Sequence, residues 1–472
     1  MVKLKLQIPE IKIGESCMVI RLPEKVKYII SKLTGEGFEA YSVGGCIRDS
    51  LLGRNPEDWD ITTSARPEQV KRLFRRTVDT GIRHGTVTVM MGEDGFEVTT
   101  YRLDGVYEDN RHPKEVTFTT ELVEDLSRRD FTINALAYND EDGLVDAFQG
   151  LSDLENGLIR AVGDPNERFS EDALRIMRAV RFSAQLNFDI ERETFAAIRP
   201  KAENLRNISA ERIRVELVKL LCSKHPEKLL TLSECGITAV ILPEFDRELA
   251  TGQNNKHHMY DVGRHTIEAL KHSTTYDDRL SEQDRTVLRL TMLLYDMGKP
   301  DCHTRDADGT DHFKGHSEVS VKIADDILRR LKFDNKTIDQ VLTLVRYHDH
   351  RHEITPGSVR RTIVKIGEEL MPLWFLVRRC DTMGQSVYIR EEKLAEIDEF
   401  ERVYREILSE RDCLSLKDLA VKGQDLIQAG VKPGPELGRI LNGMLELVLE
   451  EPSRNTKEYL MGRLSELRQG GN

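Results

Sequence analysis

Asp58 and Asp60 flank Trp59 in the stretch YSVGGCIRDSLLGRNPEDWDITTSA, and Gly44-Gly45 precede them. On an extended segment, residues i and i+2 point to the same face. Two carboxylates held that close repel unless a cation lies between them. Hard oxygen donors suit Mg²⁺, which takes a few carboxylates together with substrate phosphates. Gly44 and Gly45 allow backbone to approach a polyphosphate closely, because no Cβ intervenes. The Arg48 guanidinium can fork onto phosphate oxygens. These residue types point to a nucleoside triphosphate, a divalent ion and phosphoryl transfer. An acidic pair alone is common in loops, and Gly-Gly alone usually marks a turn. The informative feature is their order, with Arg48-Asp49 and Leu52-Gly53 between them.

Other candidates lie downstream. In GFEVTTYR, alternation puts Phe96 and Val98 on one face and Glu97 and Thr99 on the other. Glu97 either completes the metal site from a neighbouring strand or is a solvated strand glutamate. In RRDFTINALAYN, residues 128–139, Arg128-Arg129-Asp130 precede an expected helical run carrying Asn134. Asp130 and Asn134 are candidates for capping that helix. In EDALRIMRAVRF, residues 171–182, Asp172, Arg175, Arg178 and Arg181 recur every three residues along a drifting helical face. Ala173, Leu174, Met177 and Val180 can cover its buried side. An acceptor followed by a fixed donor fork can read a base edge; a salt-bridged solvent face is the plainer alternative. ISAERIRVEL, residues 208–217, reads as structural, with Ser209 as N-cap and Glu211 in the first turn.

The elements that must position these groups follow from periodicity. A helix is expected over 23–37, ended by Gly35 and Gly37. A strand over Phe38–Val43 runs into the glycines, and Arg48–Leu52 begins a helix. Trp59–Thr62 is the expected strand carrying the carboxylates, and Pro67–Phe74 a short helix. Thr86–Met91 and Phe96–Arg102 alternate around GEDG, a hairpin signature. The small mixed sheet ends near Gln149, and nearly every later segment has helical period. The fold class is therefore α+β, a small mixed-sheet head followed by a long all-α body.

Composition sets the class of molecule. The 472 residues suggest roughly three to four domains. Hydrophobic residues are 39% and charged residues 32%, as in a soluble chain rich in helix. Seven cysteines are scattered without a C-x-x-C pair, which argues for reduced thiols. The N-terminal stretch lacks an apolar signal core, and no apolar run approaches the ~20 residues that span a bilayer. A cytoplasmic location is expected. Net charge is −12, which speaks against broad electrostatic binding of nucleic acid but leaves room for a local basic face.

The segment from Gly44 to Asp60 resembles the active-site motif of the nucleotidyltransferase superfamily, in the class II branch of bacterial tRNA CCA-adding enzymes and poly(A) polymerases. The resemblance implies a catalytic head over 1–150, a helical neck and body over 151–255, an HD-like domain over 256–385 and a helical tail over 386–472 that contacts tRNA. It implies that Asp58 and Asp60 hold Mg²⁺ and that Glu97 joins them in catalysis. Gly44, Gly45 and Arg48 would grip the triphosphate, and Arg129 would contact phosphate or ribose. Asp172 and Arg175 would be a protein template for C and A, with Arg178 and Arg181 on phosphates or holding that template. The segment LDGVYEDNRHPKEVTFTTELVED, residues 103–125, resembles the flexible loop of enzymes able to add the terminal A; a surface hairpin is the alternative.

His265, Tyr295-Asp296, His316, His348 and Asp381 resemble the ligand set of an HD domain, which holds a metal for phosphate-ester hydrolysis. Tyr295 stands where that set has a histidine. Phenol is a poor ligand near neutral pH, its pKa being about 10, so a degraded site without robust hydrolase activity is expected. Residual metal binding through His265, His316, His348 and the aspartates stays open. His257, His258 and His272 read as lone histidines. The expected function is template-independent addition of C, C and A to the 3′ end of tRNA from CTP and ATP. The alternatives are an A-adding enzyme or poly(A) polymerase, an HD phosphohydrolase, and a non-catalytic RNA-binding protein. Oligomeric state stays open.

Overall fold

The computed structural model describes residues 11–13, 16–18, 20–105, 116–255, 259–350, 353–410 and 412–469. Part of the segment read as a determinant of A addition, residues 106–115 of 103–125, lies outside this set, as do His257 and His258. The chain forms two compact units, Met1–Pro243 and Glu244–Asn472.

In the first unit, helix α1 (Glu24–Thr34) buries Val26, Ile29, Ile30 and Leu33, the i, i+3, i+4, i+7 stripe of an amphipathic helix. It ends where Gly37 takes φ +87°, so that Phe38 N can bond back to Leu33 O. Strand β1 (Ala40–Val43) is buried along its whole length and leads through Gly44 into α2 (Gly45–Leu51). Next come β2 (Ile61–Thr63), α3 (Pro67–Leu73), β3 (Thr77–Gly81), β4 (Thr86–Met91) and β5 (Asp94–Thr100). Met91 pairs with Asp94, so β4 and β5 form the expected hairpin around Gly92 at φ +75°. Strands β6 (Leu136–Asn139) and β7 (Gly143–Asp146) complete a seven-stranded mixed sheet in the order β7-β6-β1-β2-β5-β4-β3. All pairs are antiparallel except β2 with β5.

Three expectations are corrected. The strand expected over Trp59–Thr62 starts only at Ile61. Asp58 and Asp60 therefore stand on the segment leading into it, tied to the sheet by Val43 N donating to Asp60 O at 3.0 Å. The helical run expected after Arg128-Arg129-Asp130 is instead a single 3₁₀ turn, Thr132–Asn134, followed by β6. Leu136–Asn139 is buried on both faces, and a short doubly buried strand leaves the same apolar run as a buried helix. The helix expected through 171–182 is broken. α4 (Pro165–Glu171) stops at Asp172, and α5 (Leu174–Leu186) begins beyond it. Helix α6 (Ala210–Leu221) packs on α5 and is preceded by Ser209 in extended conformation; the Ser209 side chain makes no cap bond.

The second unit is helical. Helices α7 (Val262–Ser273), α8 (Glu282–Leu294), α9 (His316–Arg330), α10 (Asn335–Tyr347), α11 (Pro356–Ile366) and α12 (Met371–Gly384) are followed by α13 (Arg390–Glu410) and α14 (Pro435–Glu450). Helix α14 anchors a separate apolar cluster of Leu426, Ile440, Met444, Val448 and Leu460. Among the described residues no helix is long and apolar enough to cross a membrane.

Candidate functional site

Parallel pairing sets the acidic centre. Ile61 on β2 lies opposite Val98 on β5, so the residues just before them, Asp60 and Glu97, fall side by side. Asp60 remains accessible to solvent, yet the protein beneath it removes enough water to raise its carboxyl pKa. Glu97 and Asp58 push it further up, and Arg129 opposes them. Glu97, read from the sequence either as completing the metal site or as a solvated strand glutamate, stands beside Asp60 and is exposed. The three acids are not as tightly gathered as a preformed cage. The two sets of three ligand atoms within 4.8 Å of one another, among the described residues, lie in the second unit.

Arg129 is the cation closest to this centre in effect. Its Nε is buried without a hydrogen-bond partner, and its Nη2 is 3.8 Å from Asp125 Oδ2. Gly44 makes room for it: a Cβ on Gly44 would lie 2.9 Å from Arg129 Nη1, and Gly44 takes φ +85°. Gly45 is under no such constraint, since a Cβ there would make ordinary contact with Arg48 Nη2 at 3.6 Å. Arg48 is buried and largely engaged. It forks onto Asp49 at 3.0 and 2.8 Å and donates to Asn134 Oδ1 at 2.7 Å. The structure thus makes Arg48 a brace of the site's wall.

A chain of buried polar contacts continues from there. Asn134 Nδ2 donates to Asp130 Oδ1 at 3.1 Å, and Arg178 Nε donates to Asp130 Oδ2 at 2.7 Å. Burial alone would raise the Asp130 pKa, but Arg178 and the Asn134 bond hold it well below the usual carboxylate range. Arg181 Nε lies 2.7 Å from Glu216 Oε2 on α6, and burial lowers its pKa to about 10. Phe182 carries three guanidinium groups around its ring, with Arg48, Arg178 and Arg181 at 5.0, 5.3 and 3.7 Å from the centroid.

Asp172 and Arg175 are held by different partners. Asp172 Oδ1 accepts from Leu174 N at 3.0 Å, capping α5, and its Oδ2 accepts from Arg212 Nη2 at 2.7 Å. Arg175 donates to Glu171 Oε2 at 2.5 Å, to Arg168 O at 3.1 Å and to Arg128 O at 2.8 Å. Both belong to one polar wall, but no bond joins them. Sequence reading missed Arg212 and Glu216, which are four apart on α6, and Asp125, which is fully buried and receives Arg128 at 3.0 and 2.8 Å and Thr62 at 3.0 Å. Asp125 left a local signal in its i, i+3 and i, i+4 spacing to Arg128 and Arg129, whereas Arg212 and Glu216 pair with Asp172 and Arg181 far away in sequence.

The second predicted cluster also assembles. His265 on α7, Tyr295-Asp296 after α8, His316 opening α9, His348 after α10 and Asp381 on α12 converge on buried Asp296. Tyr295 Oη is 2.8 Å and Asp381 Oδ1 2.9 Å from His265 Nε2. Lys299, absent from the expected set, pairs with Asp296 Oδ2 at 2.7 Å.

The chain is similar to known proteins over most of its length. Residues 40–160 match the Poly A polymerase head domain, 187–249 the probable RNA and SrmB-binding site of polymerase A, and 316–464 the tRNA nucleotidyltransferase domain 2. The CCA-adding enzyme of Levilactobacillus brevis is 37% identical, over 94% of this chain and 98% of that one. That of Lactobacillus helveticus is 36% identical, over 95% and 99%. Among solved structures, the Bacillus stearothermophilus CCA-adding enzyme in complex with CTP superposes with TM-score 0.69 at 29% identity, covering 94% of this chain and 96% of that one. With an acidic centre, a guanidinium-lined wall and full-length relatives in agreement, the chain belongs to the family of CCA-adding enzymes.

Proposed function

We propose that the first unit performs template-independent nucleotidyl transfer, adding C, C and A to the 3′ end of tRNA from CTP and ATP and releasing pyrophosphate. The observation that carries this reading is the gathering of Asp58, Glu97 and the under-bonded Arg129 around Asp60, with Gly44 beside Arg129. The donor set fits Mg²⁺. All its donors are carboxylate oxygens; desolvation first, and then Glu97 and Asp58, raise the Asp60 pKa, and a divalent ion would offset both costs of holding it charged. Mg²⁺ held by Asp58 and Asp60 would lower the pKa of the attacking 3′-hydroxyl and neutralise triphosphate charge.

The chain's own residues do the positioning. Arg129 receives phosphate oxygens in the space Gly44 leaves open. Arg48, Asn134, Asp130 and Arg178 fix the wall behind it. Asp172 and Arg175 present an acceptor and a donor fork to the incoming base, and Arg178 and Arg181 keep that helix in register. The 3′-hydroxyl then attacks the α-phosphorus in line. Positioning and charge neutralisation supply the rate. Residues 386–472 serve as a tRNA-contacting tail. Cys46, Cys222, Cys235, Cys302, Cys380 and Cys413 are free thiols, which supports a cytoplasmic setting.

The test is incubation with Mg²⁺ and tRNA lacking its 3′-CCA, resolved at single-nucleotide length. Growth by two with CTP and by three with CTP plus ATP is expected. Growth only on tRNA ending in CC, and only with ATP, would replace this reading with an A-adding enzyme.

A further inference from the structure

Asp125 lies on the short helix Leu122–Ser127 and is fully buried. Its Oδ1 accepts the Arg128 fork, Nε at 3.0 Å and Nη2 at 2.8 Å, and Arg102 N at 3.4 Å. Its Oδ2 accepts from Thr62 Oγ1 at 3.0 Å and lies 3.8 Å from Arg129 Nη2. Burial would raise its pKa, but Arg128 and then Arg129 hold it below the ordinary value. Asp125 is thus a charged carboxylate whose hydrogen bonds come from groups other than Arg129.

The separation from Arg129 has a consequence for the phosphate site. At 3.8 Å the two charges attract, but no hydrogen bond forms. Asp125 therefore holds the guanidinium without using its N–H groups. Arg129 Nε has no partner, and Nη1 faces the space that Gly44 leaves open. Burial lowers the Arg129 pKa; Asp125 is the strongest group opposing that, and Asp60 and Asp130 oppose it less. Asp130 is already bonded to Asn134 and Arg178, so Asp60 is the rival for this cation. Among the described residues the ion pair of Arg129 is the one to Asp125, and none joins it to Asp60. A guanidinium paired with Asp60 would occupy a carboxylate that Mg²⁺ needs and would spend donors that phosphate needs.

We propose, given the roles assigned to Asp60 and Arg129 in nucleotidyl transfer, that Asp125 is a positioning residue: it draws Arg129 away from Asp60 and leaves its donors open for the triphosphate. The arrangement suits that task. Arg128 and Thr62 fix the carboxylate, so it acts on Arg129 by charge alone. Thr62 stands on β2 two residues beyond Asp60, so one strand carries both the metal ligand and the anchor of its counterweight. Neutralising Asp125 lets Arg129 close on Asp60, which competes with the ion and withdraws the phosphate contact together. Removing the Thr62 hydroxyl does the opposite to the ion, because the freed Oδ2 draws Arg129 down into a hydrogen bond.

The test is a double-mutant cycle on the full-length chain between Asp125→Asn and Arg129→Ala. Two quantities are read: KM for CTP and for ATP in tRNA extension, and binding of Mn²⁺, which shares the preference of Mg²⁺ for oxygen ligands and is counted by its free paramagnetic signal. The head site is the part of that binding absent from Asp60→Asn. Asp125→Asn should raise KM for both nucleotides alike and weaken head-site Mn²⁺, each about tenfold, the scale of coupling within one ion-pair network. In the Arg129→Ala background the same change should alter neither. Thr62→Val should raise nucleotide KM while Mn²⁺ binding holds or tightens. Circular dichroism reports folding, and Thr62→Val carries the test if Asp125→Asn does not fold. Equal effects of Asp125→Asn with and without Arg129 would overturn the proposal, since the carboxylate would then act through its own field or through packing. Unchanged KM and Mn²⁺ binding in folded Asp125→Asn, or weakened Mn²⁺ binding in Thr62→Val, would overturn it as well. Each of these results leaves nucleotidyl transfer standing, which fails only if the parent chain does not extend tRNA.

Discussion

Gly44 and Gly45 are neighbours in sequence under different constraints. Gly44 combines φ +85° with a Cβ direction aimed at Arg129 Nη1, whereas a Cβ on Gly45 meets only ordinary contact. Gly44→Ala should therefore cost about 1–2 kcal/mol in backbone strain, and it should displace Arg129 and lower kcat/KM for nucleotide. Gly45→Ala should be near neutral in thermal stability, with any loss confined to nucleotide KM. Equal destabilisation of the two, measured by thermal denaturation, would remove the distinction. Asp60 gives a sharper test, because its chemistry and its stability effect have opposite signs. Its carboxyl pKa is raised by desolvation, Glu97 and Asp58. Between the ordinary value near ~3.9 and its raised value, the folded chain binds more protons than the unfolded chain. Stability contributed by this group thus falls as pH rises through that window and stays lost above it. Without Mg²⁺ at pH 7, Asp60→Asn should raise the melting temperature, and the gain should vanish in acid. The same change should reduce nucleotide addition on the order of a hundredfold or more, because an amide is a weak Mg²⁺ ligand. Adding Mg²⁺ should stabilise the parent chain more than the variant. A metal-free Asp60→Asn chain that melts below the parent at pH 7 would contradict the charge balance argued for this site.

At the level of elements, α5 works through partners on α6 and on the 130s segment. Arg212 holds Asp172 Oδ2 at 2.7 Å, so it orients the carboxylate that is proposed to face the base. Arg212→Ala should shift the CTP-to-ATP preference through nucleotide KM, with kcat less affected. Arg212→Lys should restore part of the preference, since a point charge reaches the carboxylate without the fork. An unchanged preference in Arg212→Ala would return that contact to a purely structural role. Asp130→Ala is expected to be costlier, about 3 kcal/mol in unfolding free energy, because it leaves Arg178 without its buried partner. Chemical denaturation measures this directly. These contacts also show where the sequence was readable. The hairpin at Gly92 and the stripe of α1 were legible because turn residues and period suffice to specify them. The strand β6 was not: its four residues are buried on both faces, and no alternation remains to betray a strand. The break at Asp172 was also hidden, because Asp tolerates a helix interior or a cap and only the tertiary bond to Arg212 decides. The Asp58/Asp60 pair was legible by type and order. Its exact backbone was not, since the strand starts one residue beyond Asp60.

At the scale of the whole molecule, the α+β organisation was legible because apolar period changes from two to 3.6 once the head sheet is complete, and the bracing of Arg48 was not, because Asn134 is brought to it only by the fold. Net charge poses the remaining question. A chain of −12 must bind a polyanion. Long-range repulsion opposes the encounter, and short-range contacts between arginines or lysines and phosphates must outweigh it. Salt acts on both. Screening of the net repulsion favours binding at higher salt, but the Debye length is already only ~10 Å at 0.1 M, so little repulsion is left to remove. Loss of counterion release acts the other way, and it scales with the number of phosphates neutralised. A modest footprint of roughly four phosphate contacts gives a slope near −3 in log–log form, hence an affinity loss of about a hundredfold between 50 and 200 mM salt. The second effect therefore wins, and tRNA binding should weaken steeply with salt despite the acidic chain. At saturating tRNA the rate of nucleotide addition should change far less, because the groups around Asp60 and Arg129 act at contact distance. Filter binding and single-turnover extension across that salt range separate the two. An affinity that holds constant or strengthens with salt would mean that local cations do not carry the RNA, and that shape or base contacts do.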